Sequence, residues 1–267
     1  MKSFMLFVLS AVLLSCTISV CCAYDASFRL KLATQDFQPF SYLANPRESE
    51  LSAQKVAGPA AEIIHSVCSE MGTSYVLSLL PWRRAQYDTR EAGIYHGLFL
   101  IGWNQKRSEW LYFSPPILQT EYGFFVTKDN PMNFKQGADL KGYTIGVFGP
   151  SNTSKSLEKI KSETDNFIID MRPDDISGFK KLSIGRVNAV YSNKDVGFAI
   201  LVKNNITNVR YAGMHKTLDY FIGFDKKNTP KDFVDEFNNT FIQLYNKKII
   251  QGILEKYQMT PAAIDNK

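Results

Sequence analysis

The sequence predicts an α/β protein made of two units, each a parallel sheet covered by helices. Short apolar strands alternate with helices between residues 28 and 101, and the same alternation returns between residues 143 and 202. Strand–helix–strand units form parallel sheets through right-handed crossovers. Each stretch is therefore expected to form one compact α/β unit.

Three strands and two helices make up the first unit. Strands are predicted at residues 28–33, 75–80 and 98–101, where runs of apolar residues are followed by a proline or a glycine. Helices are predicted at residues 61–71, where apolar residues recur at helical spacing, and from residue 82 onward. This order is the βαβ pattern of a parallel sheet.

Three side chains follow the ends of these strands. Phe37 comes after the first strand, Trp82 after the second and Arg107 after the third. Ligands of such sheets gather at the carboxyl ends of the strands, so the three side chains are expected to face one crevice. A guanidinium offers five donors in a fixed fork that suits a carboxylate or a phosphate. The alternative is that Arg107 is a solvated loop charge, as most arginines are.

The second unit repeats the pattern. Its strands are predicted at residues 123–128, 143–148, 167–171 and 188–191, with helices between them, and a return strand at residues 220–224 precedes the C-terminal helices. The apolar stripes of those last helices are expected to be core surfaces.

A segment after the strand at 143–148 resembles a phosphate-binding loop. Residues 149–156 read Gly-Pro-Ser-Asn-Thr-Ser-Lys-Ser, so Ser154 stands where that motif has its second glycine. Nucleotide hydrolysis is therefore not expected. The free amides of a helix start with the hydroxyls of Ser151 and Thr153 suit an anionic or polar ligand group, although ordinary helix capping would use the same hydroxyls.

The N-terminus reads as a secretory signal peptide over residues 1–23. Lys2 precedes an apolar run that ends at Cys21-Cys22-Ala23, too short and wrongly flanked for a membrane span. The alternative is a lipoprotein signal that places a lipid on Cys16. Cleavage after Ala23 leaves Cys68 alone, so no internal disulfide is expected.

Composition argues against several classes of function. The formal charge of +5 is spread over scattered basic residues, which does not indicate a nucleic-acid interface. The histidines, His65, His96 and His215, are far apart in sequence, so neither a metal site nor a cofactor is expected. No Gly-x-Ser-x-Gly motif offers a hydrolase nucleophile.

A series of short motifs runs in a recognisable order through the chain. They are Ala33-Thr34 with Phe37 and Pro39-Phe40, Gly58, Gly102 with Arg107 and Phe113-Ser114-Pro116, Asp139-Leu140-Lys141-Gly142 with Ile145-Gly146-Val147, Gly185-Arg186-Val187-Asn188-Ala189-Val190, and Ile253-Leu254 with Lys256-Tyr257. In this order the chain resembles the family 3 extracellular solute-binding proteins, the periplasmic receptors typified by polar amino-acid binding proteins.

The resemblance implies a periplasmic binding protein-like fold of type II, in which two α/β lobes are joined by two hinge crossovers and close on a ligand. Lobe 1 is then expected at residues 24–118 and 220–267, and lobe 2 at residues 119–219.

The resemblance also implies a set of ligand-binding residues. Aromatic rings at Phe37 and Trp82 would sandwich the ligand, and Arg107 would hold its carboxylate. The remaining predicted contacts are Trp103, Asn104, Ser151, Asn152, Thr153, Asn193 and Asp195.

The sequence departs from the family pattern at two of these positions. Asn104 stands where a threonine is common, in a loop that is shorter than usual, and Asn193 stands where a carboxylate binds the ligand's ammonium group. An amide lacks the charge that favours a desolvated ammonium. Asp195 and Asp36 are near enough in sequence to substitute. An amino acid, a modified amino acid, a small organic anion and a short peptide all stay open as ligands.

The predicted function is that of a non-enzymatic, monomeric binding protein of the periplasm that delivers its ligand to an ABC-type membrane permease or to a sensor. The alternative is a dehydratase on the same fold that acts on a cyclic carboxylic acid. Such an enzyme needs a general acid in the cleft, for which Asp36, Glu109 and Asp195 are candidates.

Overall fold

The structure is a computed structural model that describes residues 28–45 and 55–264. Its strands are β1 (Arg29–Thr34), β2 (Tyr42–Leu43), β3 (Val56–Ala57), β4 (Ser74–Leu79), β5 (Gly97–Gly102), β6 (Leu111–Phe113), β7 (Leu118–Thr127), β8 (Thr144–Phe148), β9 (Ile168–Arg172), β10 (Ala189–Asn193) and β11 (Val209–Asp225). Its helices are α1 (Pro59–Glu70), α2 (Trp82–Arg90), α3 (Gln105–Ser108), α4 (Asn152–Thr164), α5 (Asp175–Ser183), α6 (Lys194–Lys203), α7 (Lys231–Asn246) and α8 (Ile249–Lys256), with a 3₁₀ turn at Gly137–Leu140.

The predicted signal peptide and Cys16 lie outside the described residues. Within those residues, no helix combines the length and apolar character that crossing a bilayer requires.

The sheet has two parallel parts that are joined by two long antiparallel strands. Its strand order is β4-β1-β5-β11-β7-β10-β8-β9. β4, β1 and β5 run parallel to one another, as do β10, β8 and β9. Between the two parts, β11 pairs with β7 from Val209 to Tyr220 and with β5 from Tyr220 to Phe224. The result is two α/β lobes that share one strand pair.

The two joining strands are longer than the sequence predicted. The apolar pattern indicated strands at residues 123–128 and 220–224, whereas β7 begins at Leu118 and β11 at Val209. In β11 the missed part runs along the bridge between the lobes, where Lys216 and Thr217 are exposed. A strand with so little buried surface shows no apolar periodicity, so its sequence resembles a loop.

The predicted lobe boundaries coincide with a change of partner on β11. Tyr220 pairs with both Leu118 of β7 and Gly102 of β5, while Asp219 pairs only with Gln119 of β7. The boundaries at residues 118 and 219 stay a prediction, and this register agrees with them.

The first helix begins where only a glycine fits. Gly58 has a φ of 106°, and a Cβ there would lie 2.5 Å from the carbonyl oxygen of Phe40. L-residues rarely adopt this φ. The close approach packs the start of α1 against the loop that follows β1, and this loop carries Phe37.

The core of lobe 1 is formed by the sheet together with α1, α7 and α8. Phe233, Phe237 and Phe241 of α7 are fully buried, as are Ile250 and Leu254 of α8. The C-terminal apolar stripes are therefore core surfaces, as the sequence predicted. They anchor the C-terminal helices on the lobe that contains β1.

Replacing the buried ring of Phe237 tests this anchoring. Phe237→Ala is expected to lower the free energy of unfolding by about 3–5 kcal/mol, because a buried aromatic side chain is lost and a cavity remains. Urea denaturation followed by circular dichroism measures the change. Tyr87→Ala is the control, since Tyr87 is 60% exposed, and it is expected to change stability by about 0.5 kcal/mol or less. Equal effects of the two substitutions would contradict the assignment of α7 to the core.

Candidate functional site

Two connected cavities lie between the lobes. The inner cavity, of about 50 Å³, contains Arg107, and the outer cavity has a volume of about 700 Å³. Both are lined by Gln35, Phe37, Trp82, Phe148 and Asp175. The two cavities therefore form a single cleft with a narrow inner end and a wide outer part.

The inner cavity lies at the carboxyl ends of parallel strands from both lobes. Thr34 ends β1 and Gly102 ends β5 on one side, and Phe148 ends β8 and Asn193 ends β10 on the other. This is the edge at which the sequence placed the ligand site. Phe37, Trp82 and Arg107, predicted to face one crevice, all line it.

Arg107 is positioned by its own loop. Asn104 caps the short helix α3, where its Oδ1 accepts a hydrogen bond from the backbone N of Arg107 at 2.9 Å. The guanidinium Nη1 donates to the carbonyl oxygen of Gly102 at 2.7 Å, and the guanidinium carbon Cζ lies 5.7 Å from the centroid of the Trp82 ring. The loop between Gly102 and Arg107 thus forms a helix cap that fixes the arginine, and Trp82 contacts the cation directly.

The charge of Arg107 has no acidic partner in the part of the chain that the structure describes. Desolvation lowers its pKa to about 10, an effect that the nearby Tyr122 and Tyr220 oppose. The guanidinium is still protonated at neutral pH. A half-buried cation without a counter-ion is costly, so an anion in the inner cavity stabilises it.

Aromatic packing fixes the wall that carries Phe37. Its ring centroid lies 5.4 Å from that of Phe40 and 5.7 Å from that of Tyr220. Phe40 and Tyr220 also pack edge to face, at 5.5 Å. This cluster presents a rigid apolar surface to the cleft.

Ser151, Asn152 and Thr153 line the inner cavity from lobe 2. Ser151 caps α4, since its Oγ accepts from the backbone N of Ser154 at 3.1 Å and donates to the carbonyl oxygen of Phe148 at 2.7 Å. Thr153 opposes the rise that burial causes in the pKa of the Tyr122 hydroxyl. Ser151 therefore performs the helix-capping role that the sequence allowed for these hydroxyls. The start of α4 also faces the inner cavity.

Hydrogen bonds cross the cleft directly beside the inner cavity. The Asn104 Nδ2 atom donates to Asn152 Oδ1 at 3.1 Å, and Asn152 Nδ2 donates to the carbonyl oxygen of Gly102 at 3.5 Å. The loop that carries Arg107 thus touches the start of α4. In this structure the lobes are in contact beside the inner cavity.

Asn193 lines the inner cavity, but its amide is fully engaged. Its Oδ1 accepts from the backbone N atoms of Asp195 and Val196 at 2.9 and 3.2 Å and so caps α6. Its Nδ2 donates to Thr120 Oγ1 at 3.0 Å and to the Tyr220 hydroxyl at 3.4 Å. The side chain of Asn193 is therefore already hydrogen-bonded within the protein at both ends of its amide.

Three predicted contact residues line neither cavity. Asp195 accepts a hydrogen bond from Thr120 Oγ1 at 2.6 Å. Trp103 is 55% exposed. Asn104 caps α3 beside the inner cavity and does not line it. The structure thus gathers Phe37, Trp82, Arg107, Asn193 and the start of α4 around one cavity, without these three residues.

The residues of the inner cavity that the sequence analysis did not predict include Tyr122, Asp175, Ser192 and Tyr220. Asp175 is the first residue of α5, and its Oδ1 accepts a hydrogen bond from Ser192 Oγ at 3.0 Å. Burial raises its pKa to about 6, and the neighbouring Asp174 adds to the shift. The strand-end rule that selected Arg107 would also have selected Asp175, which follows β9.

The outer cavity is mostly apolar with a few charges. Its walls include Leu80, Pro150 and Ile176. Asp36 also lines it, and burial raises the pKa of this carboxyl while Lys203 opposes the shift. Among the candidate acids for an enzyme, Asp36 therefore faces the cleft, whereas Glu109 and Asp195 line neither cavity.

No group of His, Cys, Asp and Glu side chains within the described residues is arranged to hold a metal ion.

Comparison with known proteins identifies similar sequences and folds. The sequence profile of the bacterial extracellular solute-binding proteins, family 3, matches residues 30–260. A histidine kinase sensor domain with similarity to periplasmic binding proteins is 17% identical with a TM-score of 0.74, over 88% of this chain and 98% of that one. No curated protein sequence matches closely enough to be counted as a relative.

Two amino-acid-binding proteins of known structure are also similar. An ancestral arginine-binding protein, solved with arginine, is 19% identical with a TM-score of 0.72, over 86% of this chain and 97% of that one. An amino acid ABC transporter substrate-binding protein from Streptococcus pneumoniae, bound to L-arginine, is 18% identical with a TM-score of 0.69, over 85% and 93%. These likenesses confirm the predicted two-lobed fold.

The raised pKa of Asp175 predicts a pH-dependent cost to stability. Because the folded state holds this proton up to about pH 6, the contribution of Asp175 to the free energy of unfolding falls as pH rises from about 4 to 7. Asp175→Asn removes that dependence. Without added ligand, the variant is expected to be more stable than the wild type by about 1–3 kcal/mol at pH 7.5, since one pKa unit corresponds to about 1.4 kcal/mol, and no more stable at pH 4.

Urea denaturation at both pH values measures this difference. Asp139→Asn is the control with the opposite sign, because hydrogen bonds from the backbone N atoms of Gln136 and Lys135 lower the pKa of Asp139. The Asp139 variant is expected to lose stability relative to the wild type as pH rises through the acid range. An Asp175→Asn protein whose stability difference from the wild type is independent of pH would contradict the prediction.

Proposed function

We propose that this chain, which belongs to the bacterial extracellular solute-binding proteins of family 3, captures a small carboxylate-bearing ligand between its lobes. The ligand is an amino acid or a related organic anion. The family membership confirms the resemblance drawn from the sequence. Membership in this family also supports the prediction that the protein binds its ligand without converting it, because the family is one of solute-binding proteins and not of enzymes.

The observation that carries the proposal is the unpaired charge of Arg107 in the inner cavity. Its Nη1 atom is bound to the Gly102 carbonyl, and its other guanidinium N–H groups have no hydrogen-bond partner among the described residues. A carboxylate that accepts from this fork would gain charge-assisted hydrogen bonds and neutralise the buried cation. The inner cavity, at about 50 Å³, has room for a head group of that size.

Binding would draw on both lobes. Phe37 and Trp82 supply apolar contacts from lobe 1, while Asn152 and Thr153 border the same cavity from lobe 2. A ligand that touches both walls stabilises the closed arrangement of the lobes relative to an open one. The bridge formed by β7 and β11 is the place where such a hinge motion would bend the chain.

The cellular role follows as part of the same proposal. A secretory signal at residues 1–23 would send a monomeric protein to the periplasm. There it would deliver its ligand to an ABC-type importer or report its presence to a membrane sensor. Similar structures come from both contexts, a transporter substrate-binding protein and a kinase sensor domain.

Substitution of Arg107 tests the site. For whichever carboxylate a thermal-shift screen identifies, Arg107→Ala is expected to weaken binding at least about 30-fold, because the loss of a buried charged hydrogen-bond partner costs about 2–5 kcal/mol. Arg107→Lys keeps the charge and loses the fork of donors. Its affinity for the ligand is expected to lie between those of the wild type and of Arg107→Ala. Isothermal titration calorimetry measures all three proteins.

Arg186→Ala serves as the matched control, since Arg186 is exposed and lines neither cavity. It is expected to bind as tightly as the wild type. If Arg107→Ala and Arg186→Ala bind the ligand equally well, the proposed carboxylate site is wrong.

A further inference from the structure

A histidine interrupts the regular pairing of the bridge between the lobes. Met214 of β11 pairs with Gly123 of β7. Lys216, two positions further along β11, pairs with Tyr122, which is only one position away from Gly123. His215 is therefore the extra residue of a β-bulge, and it has no partner of its own in this strand pair. Such a residue can change position at a lower cost than one whose backbone is paired.

The side chain of His215 is inserted into lobe 2. Its Nδ1 atom lies 2.7 Å from the hydroxyl oxygen of Tyr191, which in turn lies 3.1 Å from Ser156 Oγ of α4. Tyr191 belongs to β10 and is fully buried, and its ring centroid is 5.7 Å from that of His215. The ring of Phe134 meets His215 edge to face. His215 thus holds the bridge against the core of lobe 2.

The charged groups around His215 disfavour a proton on its ring. Burial lowers the pKa of His215, and Lys216 on β11 and Lys159 on α4 lower it further. Glu163, also on α4, acts in the opposite direction. Burial raises the pKa of Tyr191 on β10, so the hydroxyl that His215 contacts offers no negative charge. The inserted imidazole is therefore neutral at neutral pH.

We propose that His215 is a pH-sensitive contact of the bridge: the neutral side chain holds β11 against Tyr191, and protonation releases it. A protonated imidazole in this place carries its charge next to two lysines and away from water, a cost that exposure to solvent removes. Because His215 lies in a bulge, it can leave while the strand pairs on either side stay formed. Acid then loosens the bridge without unfolding either lobe. This contact is independent of the carboxylate site proposed above.

The bulge lies beside a residue that borders the cleft. Tyr122 lines the inner cavity, and its ring centroid lies 5.8 Å from that of Tyr191. The Nζ atom of Lys216 lies 5.8 Å from the centroid of the same Tyr122 ring. Release of His215 therefore removes a support of the bridge at the point where a motion of the lobes would bend it. Movement of the lobes is expected to become easier in acid.

Hydrogen–deuterium exchange of the bridge tests this contact. Peptides that cover residues 212–218 are followed at pH 7.5 and at pH 5 without added ligand, and their rates are corrected for intrinsic exchange at each pH. The released histidine titrates near its ordinary pKa of about 6.5 and so binds the proton more tightly than the inserted one. Opening of the bridge is therefore expected to be about 5- to 30-fold more frequent at pH 5. Peptides from β8, in the core of lobe 2, are expected to show no such change.

Substitutions assign the effect to one histidine. His215→Asn does not titrate and keeps a hydrogen-bonding amide, so opening of its bridge is expected to be independent of pH. His65→Asn is the matched control, because His65 is exposed on α1. His96 in lobe 1 is also half-buried, and burial lowers its pKa. Both His65→Asn and His96→Asn are expected to keep the pH dependence of the bridge.

Circular dichroism at both pH values checks that each variant folds, and His215→Gln replaces His215→Asn if the latter does not. Bridge opening that is equally frequent at the two pH values in the wild type would overturn the role of His215. A pH dependence that persists without His215 would overturn it as well. If β8 opened together with the bridge, acid would be unfolding lobe 2 as a whole, and the proposed contact would again be wrong. None of these outcomes bears on Arg107, which calorimetry tests separately.

Discussion

The antiparallel pair of β7 and β11 is the constraint on which the rest of the molecule depends. It is the only continuous connection of the sheet between the two parallel parts in the described residues, and β11 belongs to both. Because its ladder fixes where β5 ends relative to β10, it also fixes which strand ends face each other. Arg107 and Asp175 can border one cavity only because this pair holds their strands in register.

Some charged side chains of the two lobes are paired within the protein, and others are not. Ion pairs such as Arg172 with Asp170 and Lys194 with Glu121 are satisfied within the protein. Next to the inner cavity, the polar network of Asn193, Thr120 and Asp195 is also satisfied within the protein. Arg107 and Asp175, by contrast, line the inner cavity and have no ionic partner among the described residues. This is the pattern of a site prepared for a ligand.

Sequence reasoning located the strands whose surfaces are buried and missed the parts that are not. The apolar run before Gly102 marked β5, whereas the exposed Lys216 and Thr217 hid the middle of β11. In the site, its position after a strand end identified Arg107. Such a position carries no information on where a neighbouring side chain points, so the predicted contacts also included Trp103. Asp175 was overlooked because an acid at a helix start is ordinarily explained by the helix dipole.

The separation of the cleft into a narrow inner end and a wide outer part has a consequence for evolution and engineering. Arg107 is fixed by the Gly102 carbonyl and the Asn104 cap, neither of which lines the outer cavity. The outer walls come from other segments, such as those around Leu80 and Ile176. Their shape can therefore be altered while the head-group site is retained. A scaffold of this kind lends itself to conversion into biosensors for a series of compounds that share one polar end.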